Sequence, residues 1–178
     1  MITLGDTPVL HTPRLTLRAP SPQDWLAALA FYRAPRSSFI RDGEALTEGQ
    51  CWRAWCHIIG SWVLRGYGSF VITLKGSDDA IGLAGPWHPI DWPEREIGWT
   101  LWRDDVEGKG YAFEAATAAR SFAFATLGWD TAVSYIDPPN TRSIALAKRM
   151  GCTLDVGAPY PGTDPCLVYR HPAPRARA

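Results

Sequence analysis

The alternation of apolar and polar positions divides the chain into short and long elements. Residues 14–18 (RLTLR) alternate polar and apolar as a half-buried strand does. Ser21-Pro22 then predicts a helix start, with Ser21 as N-cap and Pro22 at the first helical position. This helix should run to about Tyr32 and stop before Pro35. Thr47-Glu48-Gly49-Gln50 has the form of a capping box and predicts a second helix to about Leu64, ended by Gly66 and Gly68. Strands are expected over residues 69–74, 80–85 and 96–102, the last with Ile97, Trp99 and Leu101 on one face. Residues 88–95 between them read as a loop with two prolines. From Ala112 to Thr126 small and apolar residues recur at three- and four-residue spacing, which predicts a long helix lying close on a sheet. A strand over 131–136, a helix over 141–150 stopped by Gly151, and closing strands over 152–156 and 166–169 complete the pattern. Runs of strands followed by β-α-β alternation predict a mixed α/β sheet. No repeat or long polar linker divides the chain. Residues 1–178 therefore read as a single domain with its core at about 11–170 and a mobile tail over 171–178.

Composition narrows the function classes. At 178 residues, 46% hydrophobic and 20% charged, the chain can bury a core and is not a disordered polyelectrolyte. Eighteen Lys and Arg balance 18 Asp and Glu, which argues against a nucleic-acid partner and against electrostatic attachment to an anionic membrane. The longest near-apolar run, residues 58–64, is far shorter than the roughly 20 residues a membrane span needs. The first ten residues carry no Lys or Arg and do not read as a signal peptide. The four cysteines lack metal-binding spacing and read as reduced thiols, so no metal is expected. A cytoplasmic protein is the resulting expectation. Of nine tryptophans most read as core filling, while Trp87 and Trp92 in the Pro-rich loop are also candidates to line a pocket.

The segment that carries chemistry is Glu107-Gly108-Lys109-Gly110-Tyr111-Ala112, between a strand and the long helix. Two glycines permit a tight turn and close approach of the backbone to a ligand. Amides at the helix start then face outward at the positive end of the dipole, an arrangement suited to a pyrophosphate. Glycine also serves as a plain turn residue, and the spacing matches neither the dinucleotide fingerprint nor the P-loop.

This segment resembles the acyl-CoA-binding stretch of the GNAT superfamily of N-acetyltransferases, Gln/Arg-x-x-Gly-x-Gly/Ala, and most closely its RimJ/RimL-like branch. Other pieces follow in that branch's order: residues 12–18 as its first strand, GYGSFVI and AIGL as its next two, and Glu96-Ile97-Gly98-Trp99 as its central strand. Asn140-Thr141-Arg142-Ser143 matches its Asn-x-x-Ser, and Lys148-Arg149-Met150-Gly151-Cys152 resembles its KLGF ending. The resemblance spans about residues 11–170. It implies a mixed, mostly antiparallel central sheet flanked by helices, and acetyl transfer from acetyl-CoA to a primary amine in a ternary complex. Glu107 stands where the family favours Gln or Arg, and Lys109 would supply a compensating charge.

The resemblance also assigns sites. Leu101, Trp102 and Arg103 would pair through their backbone with the pantetheine arm, and residues 107–112 would hold the pyrophosphate. Asn140 would order the turn or contact the cofactor arm, and Ser143 would contact that arm. Glu96 is the leading general base, with a surface carboxylate beside Arg95 as the competing reading. His88 is a second base candidate or a plain loop histidine. The phenol common in the family aligns with Ala147, so Ser143 is the candidate general acid, or else a helix-capping residue. The acceptor would be a small amine or a protein N-terminus. An α-amine of pKa near 8 is about a tenth neutral at pH 7 and a lysine amine less than a thousandth, which slightly favours the former. Residues 36–46 and 157–165 should shape the acceptor pocket, with Tyr160 as a possible stacking contact. Exposed tryptophan would favour a homodimer. Glu107 and the missing phenol also leave open a non-catalytic acyl-CoA-binding or interaction protein on the same fold.

Overall fold

Local signals set most element boundaries. In a computed structural model, which describes residues 4–40 and 46–173, the Thr47 capping box forms as expected. The Thr47 backbone N–H donates to Gln50 Oε1 at 2.8 Å, and the Gln50 N–H donates to Thr47 Oγ1 at 3.3 Å. Helix α2 (Glu48–Arg65) then ends at Gly66, which takes the left-handed conformation that glycine adopts without a Cβ clash. At Ser21 a 3₁₀ turn, Pro22–Asp24, precedes helix α1 (Trp25–Arg33). Asp24 is buried there. It accepts from the Ser21 N–H and pairs with both terminal nitrogens of Arg18 at 2.8 Å.

Eight strands make one sheet: β1 (Leu10–His11), β2 (Leu15–Arg18), β3 (Phe70–Leu74), β4 (Ala80–Trp87), β5 (Glu96–Leu101), β6 (Val133–Ile136), β7 (Thr153–Leu154) and β8 (Leu167–Arg170). Their order is 1-2-3-4-5-6-8-7, and every pairing is antiparallel except β5 with β6. Helices α3 (Tyr111–Ala125) and α4 (Thr141–Arg149) complete a single α/β domain. Val71 and Leu83 face α1 and α2, where Phe31, Trp55 and Trp102 are buried. Phe70 and Ile72 face the other side, against Ala115, Ala119 and Phe122 of α3. The small residues of α3 let it lie directly across β4 and β5. Among the described residues no helix is long and apolar enough to cross a membrane.

Four details depart from the sequence reading. Strand β1 and the 3₁₀ turns Pro35–Ile40 and Asp104–Val106 were not foreseen. Strand β4 continues past Gly85 because Pro86 sits opposite Ile97 at a position where the two strands exchange no hydrogen bonds, so its missing N–H costs nothing. Strand β7 is shorter than 152–156 because Cys152 turns inward, its N–H donating to the Ala147 carbonyl. Finally, the chain is not loose from residue 171 onward. His171 is buried, its N–H donates to the Ala132 carbonyl, and its Nε2 lies 3.0 Å from Ser134 Oγ. Residues 1–3, 41–45 and 174–178, which include parts of the expected acceptor segment and tail, lie outside the described residues.

The parallel pair β5–β6 controls the site. The strands meet only at Glu96 and Val133, supported by a Val133 N–H bond to the Arg95 carbonyl, and then diverge. Beyond that point Ser134 Oγ, not a backbone amide, donates to the Ile97 carbonyl at 2.6 Å. Because Ser134 donates to Ile97, His171 Nε2 must donate to Ser134, and Nδ1 accepts from the Cys152 thiol at 3.3 Å. The chain of bonds is satisfied only with a neutral imidazole. Burial pushes the His171 pKa down to about 3 and the Cys152 thiol up to about 11.

This network makes stability pH-dependent. His171 binds a proton in the unfolded chain below about pH 6.5 but not in the native fold until about pH 3, so its contribution is complete above pH 6.5 and is lost as pH falls. Urea unfolding at pH 7 and pH 5 should show a loss of about 2 kcal/mol from this group in the native protein. His171→Gln should be less stable at pH 7 and lose less over the same interval.

Candidate active site

The divergence of β5 and β6 opens a cavity of about 1140 Å³, lined from β4, β5, β6, the first turn of α4, α1, α2 and residues 161–166. The register defines what β5 offers to it. Leu101 lies opposite Gly82, and the Trp102 N–H donates to the Ile81 carbonyl at 2.8 Å. In an antiparallel ladder, backbone groups alternate between the two sides of a strand. Those of Trp99 and Leu101 therefore turn away from β4 and toward the gap left by β6. An extended ligand can pair with them as an added strand. Trp102 does not belong with them, which corrects the sequence reading: its amide is taken by Ile81, and its indole is buried, stacked on Phe31 with centroids 5.9 Å apart. The Arg103 guanidinium is tied to Asp105 at the surface.

After β5 the chain makes the 3₁₀ turn Asp104–Val106, anchored by buried Val106, and then the glycine turn. Gly108 and Gly110 have φ of 71° and 81°, values that disfavour any side chain. Gly110 is the N-cap of α3, and no side chain caps that helix. Its first amides and the positive end of its dipole are left for a ligand, and Tyr111 and Ala112 belong to this first turn. Arg14 holds the turn in place: it donates to the Lys109 carbonyl at 2.8 Å, lies over the Tyr111 ring, and pairs with Glu114 at 2.7 Å. Glu114 also accepts from Thr12 Oγ1 at 2.6 Å, stitching the start of α3 to the entry of β2. The Lys109 side chain is exposed.

Glu107 is not an isolated negative charge. Arg36 and Arg142 both donate to its carboxylate, and Arg36 also pairs with Asp104 at 3.0 Å. The sequence reading counted only Lys109 as compensation. The structure adds two guanidiniums from distant segments, and pattern alone gave no signal for Arg36.

Glu96, the first residue of β5, lines the cavity and is partly buried. Its Oε2 accepts from Trp92 Nε1 at 2.7 Å, and the Tyr135 N–H stands 3.5 Å from Oε1. Burial raises its pKa to about 7, against the opposing pull of these two donors. The reading of Glu96 as a plain surface carboxylate does not fit this environment. His88 is not among the cavity-lining residues, and burial together with nearby Arg65 lowers its pKa. His57, which the sequence gave no reason to single out, lines the cavity with its ring 4.7 Å from that of Trp87.

Ser143 and Asn140 share the cavity with Glu96. Asn140 is the N-cap of α4, its Oδ1 accepting from the Ser143 N–H at 3.1 Å. Ser143 is therefore not the cap. Its Oγ accepts from Trp99 Nε1 at 3.3 Å, which leaves its own proton free to be donated elsewhere. Ala147 is buried, so its position offers no phenol. Trp87 and Trp92 both line the cavity, as do residues 38–40 and 161–165 of the two expected acceptor segments. Tyr160 lies outside it, beside a smaller hollow near β7.

Comparison with known proteins gives the same picture. Residues 14–153 match the acetyltransferase (GNAT) domain family. The chain is 30% identical over 144 residues to an uncharacterized N-acetyltransferase, p20, of Bacillus licheniformis, covering 79% of this chain and 80% of that one. An acetyltransferase of Agrobacterium tumefaciens, solved by crystallography, is 40% identical with a TM-score of 0.85, covering 96% of this chain and 98% of that one. The ribosomal-protein-S5-alanine acetyltransferase of Vibrio fischeri has a TM-score of 0.71 at 12% identity, over 96% and 100% of the two chains, and so shares the fold alone. With a glycine turn at an uncapped helix, a divergent strand pair and this match over most of its length, the chain belongs to the GNAT acetyltransferases.

Proposed function

We propose that this protein is an N-acetyltransferase that moves an acetyl group from acetyl-CoA to a primary amine by direct attack within a ternary complex. The observation that carries the reading is Glu96. A carboxylate whose pKa is raised to about 7 sits in the same cavity as the open backbone of Trp99 and Leu101. That value suits a general base at neutral pH. The buried, indole-bonded environment weighs against the alternative of a non-catalytic binding protein, which has no need of it.

Acetyl-CoA would bring an activated thioester carbonyl to this site. The first amides of α3 would hold its pyrophosphate, joined by Lys109 and by Arg36 and Arg142 turning from Glu107. The backbone of Trp99 and Leu101 would pair with the pantetheine arm, and an amide of this pair would face the developing oxyanion. Glu96 takes a proton from the acceptor ammonium, directly or through water. The freed lone pair attacks the carbonyl carbon, a C–N bond forms and the C–S bond breaks. Ser143 would pass its proton to the departing thiolate and regain one from the acylated nitrogen, which thereby sheds its second proton, while Trp99 Nε1 steadies the serine oxygen. The RimJ/RimL-like branch and a cytoplasmic location remain part of this proposal, as does a homodimer.

Three measurements test it. Glu96→Gln should keep acetyl-CoA affinity and lower kcat by about 10²–10⁴ at pH 7.5, with the rise of kcat/KM near pH 7 abolished. The Trp92 bond lowers the Glu96 pKa, so Trp92→Phe should move that rise to higher pH. Calorimetric titration with acetyl-CoA and CoA should give binding in the wild type and none in Gly110→Trp, since φ of 81° resists a side chain. Absence of wild-type binding up to millimolar cofactor would overturn the reading.

A further inference from the structure

The cavity draws its lining from more than the strands that would hold the donor, and it has a distinct chemistry. Phe31, Phe39, Trp87 and Trp92 line it, over an apolar floor that includes Ile58 and Leu83. Its charged groups are of one sign. Asp91, Glu96, Asp137 and Asp164 line the cavity, whereas no Lys or Arg does among the described residues, and His57 is the one lining group there that can carry positive charge. Residues 161–166 contribute Pro161 and Pro165 to the lining, which have no backbone N–H to offer a peptide.

We propose that the acceptor end of this cavity selects a small primary amine with an aromatic body and no carboxylate beside the nitrogen. This rests on the acetyltransferase reading and narrows it. The ammonium of such an amine is drawn in by the carboxylates and by the faces of the tryptophans. Its ring is matched to the aromatic walls, and burying it removes apolar surface from water on both sides. Once there, the ammonium is delivered to Glu96. The corresponding amino acid carries the same ring and the same nitrogen, but its carboxylate would lose water without meeting a lysine or arginine among the described residues and would face Asp91, Asp164 and Glu96. Discrimination therefore turns on charge, not on size.

The test is calorimetric titration of the CoA-saturated protein, which cannot turn over, with phenethylamine, phenylalaninamide, phenylalanine and the tripeptide Phe-Ala-Ser. Thiol release with acetyl-CoA is measured in parallel. Phenethylamine and phenylalaninamide should bind with similar affinity, and phenylalanine at least tenfold more weakly. The same ranking should appear in kcat/KM. Phe39 is 44% exposed at the rim, so Phe39→Arg can fold normally and should narrow the gap for phenylalanine about fivefold. Phenylalanine binding as well as phenethylamine, or no amine binding to the CoA-loaded protein, overturns the proposal. So does the tripeptide outbinding the small amines, a result that would point instead to a protein N-terminus. Failure of CoA itself to bind would overturn the acetyltransferase reading, an outcome distinct from CoA binding without discrimination among amines.

Discussion

The separation of β5 from β6 is the constraint on which the rest of the site depends. Two parallel strands joined at one register position, Glu96 with Val133, would ordinarily zip further. Here Ser134 Oγ occupies the Ile97 carbonyl, and His171 and Cys152 hold Ser134 in that role from behind. The ladder is ended by a side chain whose own partners are all buried. Beyond it, the groups of Trp99 and Leu101 that would have paired with β6 have no strand to meet. Unpaired backbone of this kind is costly to bury dry, so the gap is suited to an extended polar ligand. The same divergence makes the cavity and sets Glu96 at its root.

Burial tunes Glu96. Partly buried in the cavity wall, its carboxylate is disfavoured as an anion, while the Trp92 indole and the Tyr135 amide give back part of what desolvation takes. The balance rests near neutrality. Loss of either donor would push the Glu96 pKa further up, while a more open strand end would return it toward an ordinary acid. The Trp92 side chain thus does two things: it positions the carboxylate and it forms part of the wall that desolvates it.

The glycine turn is held by charge placed from a distance. Arg14 and Glu114 tie the turn and the first residues of α3 to the entry of β2. On the other side, Glu107 gathers Arg36 and Arg142. These pairs are too exposed to contribute much to stability, since screened surface ion pairs contribute about 1 kcal/mol or less. Their effect is positional. Two guanidiniums are kept beside an uncapped helix end, where an anion with better geometry than one carboxylate can take them over. A residue that reads as unfavourable for a polyphosphate in isolation becomes, in place, the counterion that keeps the arginines there.

The sequence by itself determined the elements and their ends, because those depend on neighbours: the Thr47 capping box, Gly66 at the end of α2, the alternation of β5 and the small-residue stripe of α3. It also marked the glycine turn by its local spacing, and Asn140 and Glu96 through their resemblance to the family's pattern. Contacts between distant segments decided the rest. Trp102 was read with Leu101 because they are neighbours, yet the pleat sends one into the core and leaves the backbone of the other facing the gap. Arg36, Arg142, His57 and the Ser134–His171–Cys152 chain have no pattern in one dimension, since each acts through partners 19 to 71 residues away or across a cavity. The ionisation of Glu96 is of the same kind: a carboxylate's identity is written in the chain, but its desolvation exists only once α1, α2, β6 and the 161–166 loop have closed around it.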